Sequence, residues 1–250
     1  MKRIESIQNA TVKQWKKLAT MKKERDKSQA FFIEGFHLVE EALKNKERVL
    51  QIIVREDVAL PMLWDTDDIP MFEVTAQVAK ELAETETTQG VFAVCKQESN
   101  TNLQGKHYLL LDAIQDPGNL GTMIRTADAA GVETVILGNG TVDAFNAKTL
   151  RAAQGSHFHI TLMRMDLEEA LAKLMAQDTV IYGTSLDDAT LLTDVSPAEK
   201  WALIVGNEGS GISPQLLAKT DENIKIPMRG KAESLNVAVA TGILLYRLIL

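Results

Sequence analysis

The stretch 107-HYLLLDAIQDPGNLGTMIRTADAAGVETVILG-138 decides the fold. It opens with an almost continuous apolar run, HYLLLDAI, turns at Asp-Pro-Gly, continues with helical periodicity through Arg125, and returns as a second apolar run, TVILG. Apolar runs of strand length separated by a helix form a βαβ unit, whose strands lie parallel and are covered on both faces. The pattern repeats downstream. HFHITLM, TVIYGTS, WALIVG and ENIKIP read as strands, most of them separated by helical stretches, so the carboxyl half is an α/β domain with a mostly parallel sheet. Ligands of such sheets sit at the carboxyl ends of strands, which directs attention to the residues just after each apolar run.

Upstream, AFFIEG, RVLQIIVRE, MFEVT and GVFAVCK read as strands, and FHLVEEALKNK and TAQVAKELAE as helices. This is a second, smaller α/β domain. KQESNTNLQGK (96–106) is polar and aperiodic and reads as the linker, giving domains 1–97 and 106–250. The 250 residues suffice for two cores without metals or disulfides, and Cys95, the single cysteine, excludes an intrachain disulfide and fits a reducing compartment. It reads as core packing in an apolar strand. The opening MKRIESIQNATVKQWKK has no apolar signal core, and no run approaches a membrane span, so the expectation is a soluble, cytoplasmic protein without membrane contact.

Charge is unevenly placed. Residues 1–30 carry nine Lys/Arg against Glu5, Glu24 and Asp26, leaving eighteen basic and thirty-one acidic residues for the rest. A basic arm of this kind engages phosphates by counterion release, or is simply a solvated helix face. His157 and His159 are placed on one strand face by their spacing, but with no third ligand nearby no metal site is expected.

Three segments carry the candidate chemistry. In 109–131, Asn119 stands at the N-cap position of a helix that carries Arg125; this is an anion site or a structural turn. In 203–213, LIVGNEGSGIS, Ile212 replaces the lysine of a P-loop and Glu208 the second glycine of a dinucleotide fingerprint, so both readings fail. A glycine-flanked strand end holding one carboxylate remains, suited to adenosine or another flat ligand on main chain, or to a plain turn. In 224–242, Ser234 opens the last helix as a cap, while Asn236, polar in an apolar helix, requires a partner. That helix, Leu235–Leu250, is apolar on several faces, which implies a second buried surface, most simply a partner subunit.

Asn119 with Arg125, GNEGSGIS, and IPM followed by SLNVAVA resemble, in order and spacing, the three motifs of the SpoU (TrmH-type) RNA 2′-O-ribose methyltransferases of the SPOUT class. RAAQGSHF (151–158) is similar to the family's segment between the first two motifs, and FFIEGFHLVEEAL to the start of its ribosomal-protein-like RNA-binding domain. The resemblance implies a six-stranded core with a carboxyl-terminal trefoil knot, a homodimer, and S-adenosylmethionine held near Thr184, Gly206, Ile226 and Leu235. It implies a catalytic set of Asn119, Arg125, Glu208, Ser234 and Asn236 and methyl transfer to a ribose 2′-hydroxyl, of ribosomal rather than transfer RNA given the first domain. The rivals are a tRNA 2′-O-methyltransferase, a base methyltransferase of the same class and a non-catalytic RNA-binding module.

Overall fold

The computed structural model describes residues 1–98, 102–185 and 188–250, so the middle of the expected linker, 99–101, lies outside the described residues. The chain forms two compact units. The first comprises Met1–Glu98 together with Asp143–Phe158, the second Ser99–Val142 and His159–Leu250. The excursion 143–158 therefore departs from the contiguous 106–250 domain expected from sequence.

The first unit is built on β1 (Lys2–Ile4), β2 (Ala30–Glu34), β3 (Val49–Arg55), β4 (Met71–Val74) and β5 (Val91–Lys96), in the order β1-β4-β3-β5-β2. β5 pairs antiparallel with β2 and β3; the other pairs are parallel. Alternation in these strands feeds two cores. Phe32, Ile53, Phe92 and Val94 pack with Val12, Trp15 and Leu18 of α1 (Ala10–Thr20) and Val78 and Leu82 of α4 (Ala76–Leu82). Phe31, Ile33, Ile52 and Cys95 pack with Leu38 and Val39 of α3 (Phe36–Leu43) and with Leu150 and Phe158 of the excursion.

That second core explains where residues 143–158 go. Phe31 lies 4.7 Å from the ring of Phe145 and 5.9 Å from that of Phe158. Arg25, on α2 (Lys22–Ser28), pairs with Asp143 at 2.6 Å with its side chain only 3% exposed. The excursion holds α6 (Ala147–Ala153) and a 3-10 turn at Ser156–Phe158. The strand expected at HFHITLM is thus only β8 (Thr161–Arg164), and His157 and His159 share no strand face. His157 is buried in the turn with Nε2 2.7 Å from the Ala144 carbonyl, and His159 meets Asp128 at 3.0 Å.

The second unit has β6 (His107–Leu111), β7 (Thr134–Leu137), β8, β9 (Val180–Thr184), β10 (Thr190–Leu191), β11 (Trp201–Val205) and β12 (Glu222–Lys225), all parallel, in the order β10-β12-β9-β11-β6-β7-β8. The two-residue edge strand β10 adds a seventh member to the six expected. Tyr108, Leu110, Ile136, Ile181 and Ile204 bury against α7 (Leu167–Met175) and α8 (Pro214–Leu217). Two further helices, α5 (Pro117–Ala130) and α9 (Val237–Ile249), pack together, a Cβ on Gly242 falling 3.4 Å from Thr126. From β6 the strand order runs outward both ways, so β6 and its neighbour β11 flank the topological switch. Among the described residues no helix is long and apolar enough to cross a membrane.

Candidate active site

The switch point brings the first two motif loops together. Leu111 and Val205 are register partners, and the amide of Asp112 donates to the Val205 carbonyl at 2.9 Å, so the chains leaving β6 and β11 run side by side. After β6, Ala113 takes a left-handed conformation (φ 56°), and its carbonyl accepts from the Asn207 side chain at 2.8 Å. Asp112 accepts from the Ser213 amide at 2.8 Å, fixing the far end of the glycine loop.

That loop folds on itself tightly. The Asn207 carboxamide oxygen accepts from the amides of Gly209 and Ser210, and Asn207 and Gly211 exchange backbone hydrogen bonds. A Cβ on Gly206 would sit 2.1 Å from Gly211 C and Ile212 N, and Gly211 has φ +70°. Glycine is required at 206 because main chain occupies the side-chain position.

Asp116, not Asn119, caps α5: its carboxylate accepts from the Asn119 amide at 2.8 Å, with Pro117 in the first turn. Pro117 needs no amide partner there, which makes the residue before it the cap and places Asn119 inside the first turn. The Asn119 side chain is thereby released for another contact. It donates to Glu208 at 3.1 Å and accepts from the Asn236 amide at 3.0 Å. Asn236, in turn, caps α9 by accepting from Ala238 and Val239, a role expected of Ser234. Burial alone raises the Glu208 carboxyl, but hydrogen bonds from the Asn119 side chain and from the backbone amides of Glu208, Gln115 and Asp116 outweigh it. The net shift is downward, so the group is an anion at neutral pH.

Beside this chain opens a cavity of about 620 Å³. Thr184, Gly206, Ile226 and Leu235 all line it, as do Glu208, Ser234 and Asn236. Asn119 joins the cluster through Glu208 and Asn236, whereas Arg125 does not. Six positions along α5 turn it about 240° from Asn119. It is exposed and makes no hydrogen bond or ion pair among the described residues. Sequence reasoning missed Asn207 and the capping role of Asp116, although Asn before Gly and Ser amides and Asp before Pro are both recognisable turn signals.

The cavity's size lies in the range of small-molecule sites. Its walls combine main chain at Gly206 and Gly211, aliphatic Ile224, Ile226 and Leu235, and the polar Glu208, Ser234 and Asn236, a set that fits a flat nucleoside with a charged tail.

A family model described as the SpoU rRNA Methylase family matches residues 106–246, and one described as the MRM3-like substrate binding domain matches residues 9–93. The chain is 50% identical over 248 residues to the 23S rRNA (guanosine(2553)-2'-O)-methyltransferase RlmP of Bacillus subtilis (strain 168), covering 99% of each. It is 32% identical to the 23S rRNA (guanosine-2'-O-)-methyltransferase RlmB of Escherichia coli (strain K12), covering 86% of this chain and 96% of the other. Among solved structures, an AdoMet-bound rRNA methyltransferase from Sinorhizobium meliloti superposes with a TM-score of 0.87 at 30% identity, covering 98% of this chain and 96% of that one.

Proposed function

We propose that this chain, which belongs to the SpoU rRNA methylase family, transfers a methyl group from S-adenosylmethionine to the 2′-hydroxyl of a ribose in RNA. The substrate favoured is 23S ribosomal RNA, as in the RlmP and RlmB relatives, and the target a guanosine. One observation carries the reading: the Glu208–Asn119–Asn236 chain borders the cavity that Thr184, Gly206, Ile226 and Leu235 line.

S-adenosylmethionine supplies an electrophilic sulfonium methyl. Gly206, Ile226 and Leu235 would hold its nucleoside through main chain and aliphatic surface, with Thr184 at the pocket edge. A ribose hydroxyl is a poor nucleophile, so its proton would pass to water as the C–O bond forms and the sulfonium carbon–sulfur bond breaks, leaving a neutral thioether. Asn119 and Asn236, fixed by Glu208 and by the α9 cap, orient the hydroxyl, and Ser234 contacts it from the cavity wall. Arg125 grips the substrate phosphate and stabilises the developing alkoxide.

The remaining parts of the reading follow the family. Residues 1–97 select RNA, 106–250 catalyse with a trefoil knot at the carboxyl end, and the protein works in the cytoplasm as a homodimer. Support for the dimer comes from Val239 (53% exposed), Ile243 (40%) and Tyr246 (46%), an apolar stripe on α9 that its own chain leaves open. The test is a map of ribose methylations across 23S rRNA from cells with and without the protein. Loss of one 2′-O-methylguanosine is expected; an unchanged rRNA map with a mark missing from tRNA would favour the tRNA alternative.

A further inference from the structure

The cations of the first unit divide into two kinds. Some are neutralised: Arg3 contacts Glu5, Glu56 and Glu73, Arg25 pairs with Asp143, Lys44 with Glu41, Lys46 with Asp65, Arg48 with Glu98 and Arg55 with Asp57. Lys13 and Lys17 on α1, and Lys23 and Lys27 on α2, are exposed and have no acidic partner among the described residues. Lys2, Lys80, Lys96 and Arg151, which also have no acidic partner among the described residues, occur singly along the chain.

The spacing of the four lysines is unfavourable for the helices themselves. Each pair stands four residues apart, one turn, where like charges repel. α1 has no acid in its first turn, and its buried face of Val12, Trp15, Leu18 and Ala19 lies opposite Lys13 and Lys17. Lys16, between them, donates to the Glu81 carbonyl at 2.6 Å and so adds charge without an acid to cancel it. In α2 Lys22 pairs with Asp26 at 3.5 Å and Arg25 with Asp143, which leaves Lys23 and Lys27 unmatched among the described residues. All of this sits in a protein whose formal net charge is -7.

We infer that Lys13, Lys17, Lys23 and Lys27 form a phosphate-tracking surface on α1 and α2 that engages the RNA backbone without reading sequence. The inference rests on RNA being the substrate, and names the surface that holds it. Lys13, Lys17, Lys23 and Lys27 are exposed without an acidic partner among the described residues, Glu24 and Asp26 being the acids interleaved with them and the aromatic Trp15 being buried, which suits phosphate contact by counterion release rather than base stacking.

The test measures affinity of the full chain for an unmethylated 23S rRNA transcript as a function of KCl, for wild type, K13A/K17A/K23A/K27A, each pairwise double variant, and K2A/K80A/K96A as a charge control. Each phosphate contact contributes about 0.7 to 0.9 to the slope of log affinity against log salt, so the quadruple variant should flatten it by about 3 and each double by about half that. Turnover at saturating RNA should be retained, with the loss confined to KM, because these residues are remote in sequence from the methyl-transfer motifs. An unchanged slope in the quadruple variant, or an equal flattening in the control, overturns the inference while leaving the methyltransferase reading intact. A defect seen only on protein-containing ribosomal precursors, with naked RNA binding unchanged, would assign the lysines to a protein partner and also overturn it. A wild-type chain that neither binds nor methylates the transcript would instead remove the premise of an RNA substrate.

Discussion

The Asn236 side chain donates its amide to the Asn119 carboxamide oxygen at 3.0 Å, joining two motifs 117 positions apart. Asn119 completes the link by donating to Glu208. Glu208→Gln would set an amide group against the donors of Asn119, Gln115 and Asp116, forcing at least one contact apart. Charge-assisted contacts of this kind contribute about 1.5–3 kcal/mol each when well buried, and less in this partly open setting. The expected result is a drop of at least tenfold in kcat with a small fall in Tm, measured by single-turnover methylation and thermal unfolding. Wild-type turnover in this variant would show that the carboxylate orients nothing.

Gly206 and Gly209 make a matched pair for testing the loop. Alanine at 206 meets main chain at 2.1 Å, while alanine at 209 meets only the Asn207 side chain at 3.6 Å. Gly206→Ala should cost more than about 3 kcal/mol or abolish cofactor uptake, the scale of severe core disruption. Gly209→Ala should stay within about 1 kcal/mol of wild type. Calorimetric titration with S-adenosylmethionine and a denaturant melt on both variants check the contrast.

His157 should make the first unit acid-labile. Burial lowers its pKa to about 4, and Nδ1 has no hydrogen-bond partner among the described residues. The unfolded chain takes up the proton near pH 6.5, so it binds more protons than the native state between about pH 6.5 and 4. Stability is therefore full above that window and falls as the pH drops through it, by roughly 3 kcal/mol at 1.36 kcal/mol per pKa unit. Urea melts from pH 7.5 to 4.5 should show this slope, and His157→Gln, which keeps a donor for the Ala144 carbonyl, should flatten it. Parallel curves for the two proteins would contradict the assignment.

The Cys95 thiol is fully buried, and desolvation pushes its pKa up to about 12. It should resist alkylation by iodoacetamide in the native protein and react only in denaturant, as a thiolate is needed for attack. Rapid native labelling would show that the β5 core opens.

How much of this was legible in sequence follows from what each signal measures. Apolar runs such as HYLLLDAI and WALIVG mark buried parallel strands, because a strand covered on both faces needs no polar alternation. The destination of 143–158 was not legible: Phe145, Leu150 and Phe158 are apolar in either unit, and only their packing with Phe31 and its neighbours selects the first. The same ambiguity turned His157 and Phe158 into an expected strand. The helix caps failed for a local reason. Ser234 and Asn119 are good cap types, but Asn236 lies next to the first helical turn and Asp116 next to a proline, and those neighbours decide. The candidate residues could be named as a set because their motifs resemble a family, yet nothing in the spacing said that Arg125 would stand apart from Asn119, Glu208, Ser234 and Asn236.

That separation gives Arg125 a distinct test. It has no structural partner to lose among the described residues, so Arg125→Ala should fold and bind S-adenosylmethionine like wild type while methyl transfer falls by about 100-fold or more, the scale of losing an electrostatic stabiliser. Lysine at this position should recover only part of the activity, since it cannot make a bidentate phosphate contact. Normal turnover in the alanine variant would assign the arginine to the surface alone.

The most direct measurement incubates the purified protein with 23S rRNA from cells lacking it and S-adenosylmethionine labelled in the methyl group, then digests the RNA to nucleosides for mass spectrometry. The label should appear on the ribose of guanosine as 2′-O-methylguanosine, in stoichiometric amount and at one position. Label on a base, or none despite bound cofactor, would contradict the assignment of this site to ribose methylation.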